Sequence, residues 1–211
     1  MSDAIKTAWI ALAGNYSTDS VLTDAFFEEL LKKYTSSRRH YHNLVHLNHL
    51  LQLSQQYQAQ LRDKDLVDFA IFYHDIIYNV LRKDNEERSA ILAVKRLKYL
   101  GLPDQKIHSI KLFIEATQTH IIPATMENTT DLSFFLDFDM SILATGWPEY
   151  QEYANQVRRE YRVYPDKLYN AGRKQFLEKS LQSPAIFHTP LFKDLYEARA
   201  RANMEKELLF Y

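Results

Sequence analysis

The spacing of apolar residues constrains the fold of this chain more than any other feature. Apolar residues recur at intervals of three and four, as in Leu44, Leu47 and Leu51, which is the period of an amphipathic helix. Only 4 glycines and 6 prolines interrupt 211 residues, and the Asn-Gly and Asp-Gly pairs typical of β-hairpins are absent. The pattern predicts an all-α fold, a single-domain helical bundle over residues 1–211.

The same periodicity places the individual helices. Residues 121–130 lack it and are predicted to form a loop, and Gly172 interrupts one predicted helix, where it either permits a close helix contact or marks a break. The helices are predicted at about 3–13, 20–34, 43–60, 64–79, 85–100, 104–119, 132–144, 147–162, 166–180 and 191–209.

Charge and cysteine content exclude several classes of function. The formal net charge is -1, so there is no basic field to attract a nucleic-acid polymer. No apolar run approaches the roughly 20 residues that span a bilayer, and the start of the chain lacks the features of a signal peptide, so we expect a cytoplasmic protein without a membrane partner. With 0 cysteines, any metal must be bound by nitrogen and oxygen atoms. The oligomeric state is left open.

Four of the 8 histidines lie within RRHYHNLVHLNHLL, residues 38–51. His42 and His46 are four residues apart, so on a helix they share one face and suit a metal ion. The zinc-protease motif H-E-x-x-H requires glutamate after its first histidine, as the general base. Asn43 occupies that position, which excludes this class.

Two further segments place ionisable residues inside apolar runs. His74-Asp75 interrupts FAIFYHDIIYNV, and Asp139 interrupts FFLDFDMSIL. Such groups are costly to bury unless they are paired or bind a metal. Because adjacent side chains on a helix point about 100° apart, one cation can use both His74 and Asp75 only where the backbone departs from the helix or the side chains converge. Imidazole and carboxylate ligands suit Mn²⁺, Fe²⁺, Ni²⁺, Co²⁺, Mg²⁺ or Zn²⁺.

The order of these residues carries a family resemblance. His74-Asp75 follows His46 after 28 residues, and Asp139 follows Asp75 after 64. This arrangement resembles the HD-domain superfamily of metal-dependent phosphohydrolases, and the runs DNEERSA and ARANMEKEL look like a bacterial subfamily of predicted HD phosphohydrolases. The resemblance spans nearly the whole chain.

The resemblance implies a site and a reaction. It places the HD core at about residues 38–145, with C-terminal helices at 147–209 packed on it. One divalent ion would activate water to hydrolyse a phosphate ester of a small molecule, with nucleotides among the candidate substrates. Its ligands would be His46, His74, Asp75 and Asp139.

Other residues receive expected roles around that site. Asp75 is also a candidate proton acceptor, and His42 is a candidate general acid, because YHNLVH is similar to a helix of cyclic-nucleotide phosphodiesterases. Glu86 is expected to face the pocket as a proton acceptor or substrate contact, whereas Asp84 and Glu87 suit a capping box. The candidate substrate contacts are Arg39, Asn43, Arg82, Lys83 and His120. Arg39, Arg82 and Lys83 lie at helix ends, where a solvated charge is a somewhat better supported interpretation than a grip on phosphate.

Two other interpretations stay open from sequence alone. The chain is also compatible with a non-catalytic HD module that binds a nucleotide or a protein partner around a structural metal, or with a helical scaffold whose buried histidines and aspartates pair with each other. A polar-aromatic region near the C-terminus is either substrate-facing or a buried ion-pair cluster; it contains Arg158, Glu160, Tyr161, Tyr169 and Arg173.

Overall fold

The computed structural model describes residues 2–124 and 126–211. These residues form helices joined by turns and loops, without any strand, which confirms the predicted all-α class. Thr125, within the predicted loop at 121–130, lies outside the described residues. The α-helices are α1 (Ser2–Gly14), α2 (Ser20–Tyr34), α3 (Leu44–Gln56), α4 (Lys64–Tyr73), α5 (Asn85–Leu100), α6 (Asp104–Ala116), α7 (Thr129–Met140), α8 (Trp147–Glu160), α9 (Asp166–Gln182), α10 (Pro190–Phe192) and α11 (Ala198–Leu208).

Short helical turns complete the secondary structure. Two 3-10 helices span Gln58–Gln60 and Ser141–Ala144, and a π-helical turn at Lys193–Glu197 joins α10 to α11. Most helices lie within a few residues of their predicted positions. The largest difference is the end of α4 at Tyr73 rather than near residue 79. No helix in the described part of the chain has the length and apolar character needed to cross a membrane.

The chain forms two compact units, Met1–Phe135 and Leu136–Tyr211. The division falls within α7, so that helix contributes residues to both units. Each unit has a buried core of its own. The single domain over residues 1–211 stays a prediction, as does the expected division into an HD core and packed C-terminal helices.

The first unit is built around α4. Every residue of α4 from Leu66 to Tyr73 is buried, and the helix contacts α3, α5 and α6. A helix that is buried on all sides belongs at the centre of a fold. Trp9 of α1 packs edge-on against Phe69 and Phe72 of α4, with ring centroids 6.1 and 5.2 Å away. Residues at the end of α4 are therefore held by a rigid core.

The start of α4 is also fixed. The Asp63 carboxylate accepts a hydrogen bond from the Leu66 backbone N–H at 3.0 Å and caps the helix. Asp131, which is fully buried on α7, accepts hydrogen bonds from the backbone N–H groups of Arg62 and Asp63 at 2.7 and 2.9 Å. These bonds give the backbone N–H groups of the turn before α4 their hydrogen-bond partners.

The second unit is organised by a buried polar cluster between α8, α9 and α11. Arg173 of α9 donates two hydrogen bonds of 2.8 Å to the Glu207 carboxylate of α11, and the hydroxyl groups of Tyr150 and Tyr211 donate to the same carboxylate. The side chains of Arg173 and Glu207 are 7% and 5% exposed. The polar-aromatic region near the C-terminus could be either substrate-facing or a buried ion-pair cluster. Arg173 belongs to a buried ion-pair cluster. Gly172 neither breaks α9 nor makes a close contact, since an added Cβ would meet no heavy atom within 4 Å.

Candidate metal site

The ends of two helices bring three candidate ligands of the first unit together. His46 is buried in the first turn of α3. Asn43 is the N-cap of α3, where its side-chain oxygen accepts a hydrogen bond from the Val45 N–H at 2.7 Å. His74 is the C-cap residue of α4, and Asp75 lies in the turn beyond it. The backbone therefore leaves the helix at His74-Asp75, which removes the obstacle that adjacent helical side chains diverge.

The distances between the donor atoms fit ligation of one ion. His74 Nε2 lies 3.2 Å from His46 Nε2 and 3.1 Å from Asp75 Oδ2, and His46 Nε2 lies 3.8 Å from Asp75 Oδ2. Ligands bound at about 2.1 Å from one ion are about 3.0 Å apart at right angles and about 3.4 Å apart at tetrahedral angles. These three atoms are the one group among the described residues with the composition and spacing to hold a metal ion.

The orientation of His74 also fits a ligand. Its Nδ1 lies 2.8 Å from the Ile71 carbonyl oxygen, which can only accept a hydrogen bond, so Nδ1 carries the proton. In the neutral ring, the form that can bind a metal ion, the lone pair is then on Nε2, which faces His46 and Asp75. In the protonated ring, Nε2 carries a second proton and can donate it to Asp75, 3.1 Å away. A hydrogen bond from the second ring nitrogen to a backbone carbonyl is the usual way in which proteins orient a histidine ligand.

Burial and charge act in opposite directions on Asp75. Burial alone would raise the pKa of its carboxyl group, but positive charge on His74, His42 and His46, together with a hydrogen bond from His74, holds the pKa well below its ordinary value. The Asp75 side chain remains 16% exposed, whereas those of the two histidines are 1% exposed. The cluster therefore combines an ionised carboxylate with two enclosed imidazoles and opens to water on the side of Asp75.

Arg39 holds the two backbone segments that carry the cluster. Its guanidinium group donates hydrogen bonds to the carbonyl oxygens of His42, Asp75 and Ile76 at 3.0, 2.7 and 3.0 Å. Arg39 is 9% exposed, and its guanidinium carbon lies 4.9 and 5.5 Å from the ring centres of Tyr34 and Tyr78. Arg39 was predicted as a substrate contact from its place near a helix end. These contacts give it a positioning role, and the substrate contact stays a prediction.

Two polar residues of α5 fix the loop that follows Asp75. Ser89 Oγ accepts a hydrogen bond from the Ile77 N–H at 3.1 Å and lies 3.3 Å from the Ile77 carbonyl oxygen. The Asn85 side chain accepts from the Asn79 N–H and donates to the Asn79 carbonyl oxygen, both at 3.0 Å. Neither residue is predicted from the sequence as part of the site. The available signal was their spacing of four on α5, which places two polar residues on a face that is otherwise apolar.

The proposed proton-transfer residues lie around the cluster. The His42 ring stacks on Tyr78 with centroids 4.2 Å apart, and its centroid lies 5.9 Å from that of His46. The pKa of the half-buried Glu86 is raised, mainly by burial and also by the charge of Asp75. A hydrogen bond from its own backbone N–H and positive charge on His120 and His42 act in the opposite direction. Glu86, Asp75, His42 and His120 therefore interact electrostatically, as expected for residues that surround one site.

Two of the remaining predicted substrate contacts, Asn43 and Arg82, have other partners. Both oxygen and nitrogen atoms of the Asn43 side chain are engaged, since its amide nitrogen donates to the His40 carbonyl oxygen at 2.8 Å. Arg82 forms an ion pair with Asp84 at 2.8 Å, and Lys83 is exposed. His120 follows α6 with a positive φ of 52°. Their contacts with substrate stay predictions.

The capping box predicted at Asp84 is wrong. Asp84 is in the N-cap position of α5, but its side chain makes no capping hydrogen bond. Its carboxylate binds Arg82 and Arg88 instead, at 2.8 and 2.7 Å. Two guanidinium groups offer stronger, charge-assisted hydrogen bonds than a backbone N–H, which accounts for the difference.

The two aspartates of α7 have different surroundings. Asp139 is half-buried in the second unit, and its role as the fourth ligand stays a prediction. Asp137 is buried and accepts hydrogen bonds from the backbone N–H groups of His188 and Thr189 at 2.6 and 2.8 Å and from the Thr189 hydroxyl at 2.7 Å. Asp137 therefore binds the turn before α10.

Comparisons with protein-family models, with curated proteins and with solved structures found no match for this chain. A function can therefore be inferred only from the residues of the cluster and from the order in which they occur in the sequence.

Proposed function

We propose that the protein is a metal-dependent phosphohydrolase that cleaves a phosphate ester of a small molecule, with nucleotides among the candidate substrates. The observation that carries this proposal is the convergence of His46 Nε2, His74 Nε2 and an Asp75 carboxylate oxygen at ligand spacing. The order of these residues resembles that of the HD-domain superfamily. A bound divalent ion in such a site would supply an activated water and polarise a phosphoryl oxygen.

The roles proposed for the protein residues follow from their positions. His46, His74 and Asp75 would hold one divalent ion, with Asp139 as a fourth ligand. Two imidazoles and carboxylate oxygens favour Mn²⁺, Fe²⁺, Ni²⁺, Co²⁺ or Zn²⁺ over an all-oxygen Mg²⁺ site, although Mg²⁺ stays among the candidates. Arg39 would keep the backbone at His42 and Asp75 in place through its three carbonyl contacts.

His42 and Glu86 are the proposed proton carriers besides Asp75. An imidazole has an ordinary pKa of about 6.5 and can donate a proton to a leaving oxygen near neutral pH. Burial raises the pKa of Glu86, which brings its basicity closer to that of an effective general base. In this scheme His42 protonates the leaving group and Glu86 or Asp75 accepts a proton from the attacking water.

Metal analysis and a substrate screen test the proposal together. Purified protein is loaded with each candidate ion and assayed against p-nitrophenyl phosphate and a panel of nucleoside phosphates. Asp75→Asn removes the ligand charge and is expected to lower both metal affinity and kcat/KM by more than about 100-fold, since even changes outside the ligand sphere cost about 10–100-fold. Asp24→Asn is the matched control, because Asp24 is 56% exposed and its carboxylate contacts the exposed Lys6 at 3.7 Å.

The outcomes separate the competing interpretations. Loss of metal and hydrolysis in Asp75→Asn, with both retained in Asp24→Asn, is the expected result. Full metal content and unchanged hydrolysis in Asp75→Asn would contradict the proposal. Metal binding to the unchanged protein without hydrolysis of any phosphate ester would favour the non-catalytic HD module, and nucleotide-induced thermal stabilisation would then identify a binding function.

A further inference from the structure

The ring of Tyr78 lies against the ring of His42, the residue proposed to protonate the leaving group. The two ring centroids are 4.2 Å apart and the ring planes are inclined by 29°, which is a stacked arrangement. Both residues are half-buried. The stack therefore belongs to the surroundings of the metal cluster and not to the apolar core of the first unit.

The backbone on both sides of Tyr78 is fixed by α5. Ser89 Oγ accepts a hydrogen bond from the Ile77 N–H at 3.1 Å, and the Asn85 side chain binds the N–H and the carbonyl oxygen of Asn79, both at 3.0 Å. Ser89 and Asn85 are themselves buried. A shift of this loop would break these bonds and leave buried polar groups without partners. Tyr78 therefore presents its ring from a fixed backbone.

The side chain of His42 depends on such a surface, because His42 lies in the turn before α3 and not in a helix. Its carbonyl oxygen accepts a hydrogen bond from Arg39 at 3.0 Å, which fixes the backbone but not the side-chain torsions. The guanidinium carbon of Arg39 also lies 5.5 Å from the centre of the Tyr78 ring. The Tyr41 ring contacts the His42 ring edge-on, with centroids 4.9 Å apart. Two tyrosine rings therefore restrain the orientation of the imidazole.

Stacking suits a residue that has to transfer a proton. A stack contacts the face of an imidazole ring and engages neither nitrogen atom, whereas a hydrogen bond restrains the ring by using one of them. An aromatic face is also compatible with both protonation states, because its π-system attracts a cation. Position matters for such a residue, since a displacement of about 1 Å can cost about 100-fold in rate.

We propose that Tyr78 is a positioning residue, which holds the His42 ring in place for protonation of the leaving oxygen. This inference rests on the proposed hydrolase function. In the step concerned, the oxygen of water forms a bond to phosphorus while one of its protons passes to Glu86 or Asp75. The bond between phosphorus and the ester oxygen breaks, and the ester oxygen takes the proton of His42.

The role of His42 predicts which substrates depend on Tyr78. The p-nitrophenolate ion is a stabilised leaving group that needs no proton, whereas an alkoxide is a poor leaving group and requires one. Wild type and Tyr78→Leu, loaded with Mn²⁺, are assayed with p-nitrophenyl phosphate and with two alkyl esters, adenosine 5′-monophosphate and glycerol 3-phosphate. In Tyr78→Leu, kcat on the alkyl esters should fall by about 10–100-fold, a part of the 10²–10⁴-fold that a general acid contributes. The fall on p-nitrophenyl phosphate should be much smaller.

Two further variants distinguish positioning from a general loss of structure. Tyr78→Phe keeps the aromatic ring and should retain most of the activity on both kinds of ester. Tyr99→Leu is the matched control for loss of a tyrosine, since Tyr99 is 63% exposed on α5, and should behave as the wild type. Metal affinity should be unchanged in Tyr78→Leu, because the hydrogen bonds from Arg39 still hold the ligand segments.

Nuclear magnetic resonance measures the stack without any substrate. The ring current of Tyr78 should shift the ring protons of His42 upfield in the wild type and in Tyr78→Phe, and the shift should disappear in Tyr78→Leu. The signals are assigned by their absence from His42→Gln. Unchanged His42 signals in Tyr78→Leu would show that Tyr78 does not hold the ring, and would overturn the inference.

The assays also separate failure of this inference from failure of the hydrolase proposal. Equal losses on both kinds of ester in Tyr78→Leu, or no loss on either, would overturn the role of Tyr78 and leave the hydrolase proposal intact. Wild-type hydrolysis of p-nitrophenyl phosphate alone would have the same meaning, because no proton donor would then be at work. Absence of hydrolysis of every ester by the metal-loaded wild type would refute the hydrolase proposal, and the role of Tyr78 with it.

Discussion

Each of the two units buries a polar cluster, and the two clusters compensate the cost of burying charged groups in different ways. In the second unit, Glu207 accepts hydrogen bonds from Arg173, Tyr150 and Tyr211, so a negative charge meets a permanent positive charge and two hydroxyl donors. In the first unit, His46, His74 and Asp75 direct atoms that can act as ligands toward one another. A cluster of this composition is completed by protons or by a metal ion.

This difference indicates which cluster is structural and which is a candidate for chemistry. A matched ion pair needs nothing from solution, and its geometry is closed when the chain folds. A cluster of potential ligands responds to pH and to metal concentration, because protons and cations compete for the same lone pairs. The two clusters should therefore differ in what disrupts them.

The largest effect is expected from Arg173→Met. Removing the guanidinium group leaves the Glu207 carboxylate buried with only tyrosine donors, and breaking one side of a buried ion pair costs about 3–5 kcal/mol. Urea denaturation measures this as a loss in the free energy of unfolding. The double variant Arg173→Met/Glu207→Leu should recover much of it, since no charge is then left unpaired.

Arg159→Met provides the control for Arg173→Met. Arg159 is 59% exposed, and its contact with Glu152 at 3.8 Å is also exposed, so we expect a change of less than about 1 kcal/mol. A loss in Arg173→Met as small as that of the control would contradict the interpretation of the second cluster as a structural ion pair.

A smaller effect on stability, but a larger one on metal binding, is expected from Arg39→Lys. Lysine keeps the charge but lacks the planar fork that contacts the carbonyl oxygens of His42, Asp75 and Ile76. The unsatisfied carbonyls should cost about 1–3 kcal/mol. Metal affinity, measured by competition with a chromogenic chelator, should fall by about 10–100-fold because the ligands lose their support.

Arg38→Lys is the matched control for this variant, since Arg38 is the exposed neighbour of Arg39. It should leave both measurements unchanged. If Arg39→Lys lowered stability and left metal affinity unchanged, the connection between Arg39 and the cluster would be refuted.

Local pattern predicted the helices and the ligand candidates, but it did not predict how α4 ends. The residues after Tyr73 include Ile76 and Ile77, which continue the apolar pattern of the helix. The backbone leaves the helix in a region where Arg39 and Ser89, distant in sequence, bind its N–H and carbonyl groups. Hydrogen bonds between distant residues are not visible in a periodicity.

The same limit explains why the sequence does not predict the role of a cation such as Arg39 or the pairing of Arg173 with Glu207. A cation that contacts substrate and one that binds backbone carbonyls look alike in sequence, so the positioning role of Arg39 could not be predicted. Arg173 and Glu207 are 34 residues apart on different helices, so their pairing could be suspected from an apolar context but not assigned.

The smallest expected effect is the pH dependence of stability and of metal affinity, which differs between the two clusters. Burial raises the pKa of Glu207, but Arg173, Tyr150 and Tyr211 outweigh it and hold the pKa below its ordinary value of 4.5. A carboxyl group whose pKa is lower in the folded state contributes stability above its unfolded pKa, and that contribution is lost as pH falls through the folded pKa. The difference in unfolding free energy between the wild type and Glu207→Gln should therefore be constant from pH 8 to about 5.5 and narrow in more acidic solution.

The proposed metal site formed by His46, His74 and Asp75 should change its metal affinity in a higher pH range. A histidine ring binds a cation only through an unprotonated nitrogen, so protons compete with the metal ion in the range around the ordinary imidazole pKa of about 6.5. Metal affinity should consequently fall across the interval in which the contribution of Glu207 is constant. Chelator competition and urea denaturation at pH 8, 7, 6 and 5.5 measure the two quantities, with Glu205→Gln as a control for loss of an exposed charge from α11. Metal affinity that is independent of pH over this range would contradict histidine ligation, because a site of carboxylates alone would titrate only in more acidic solution.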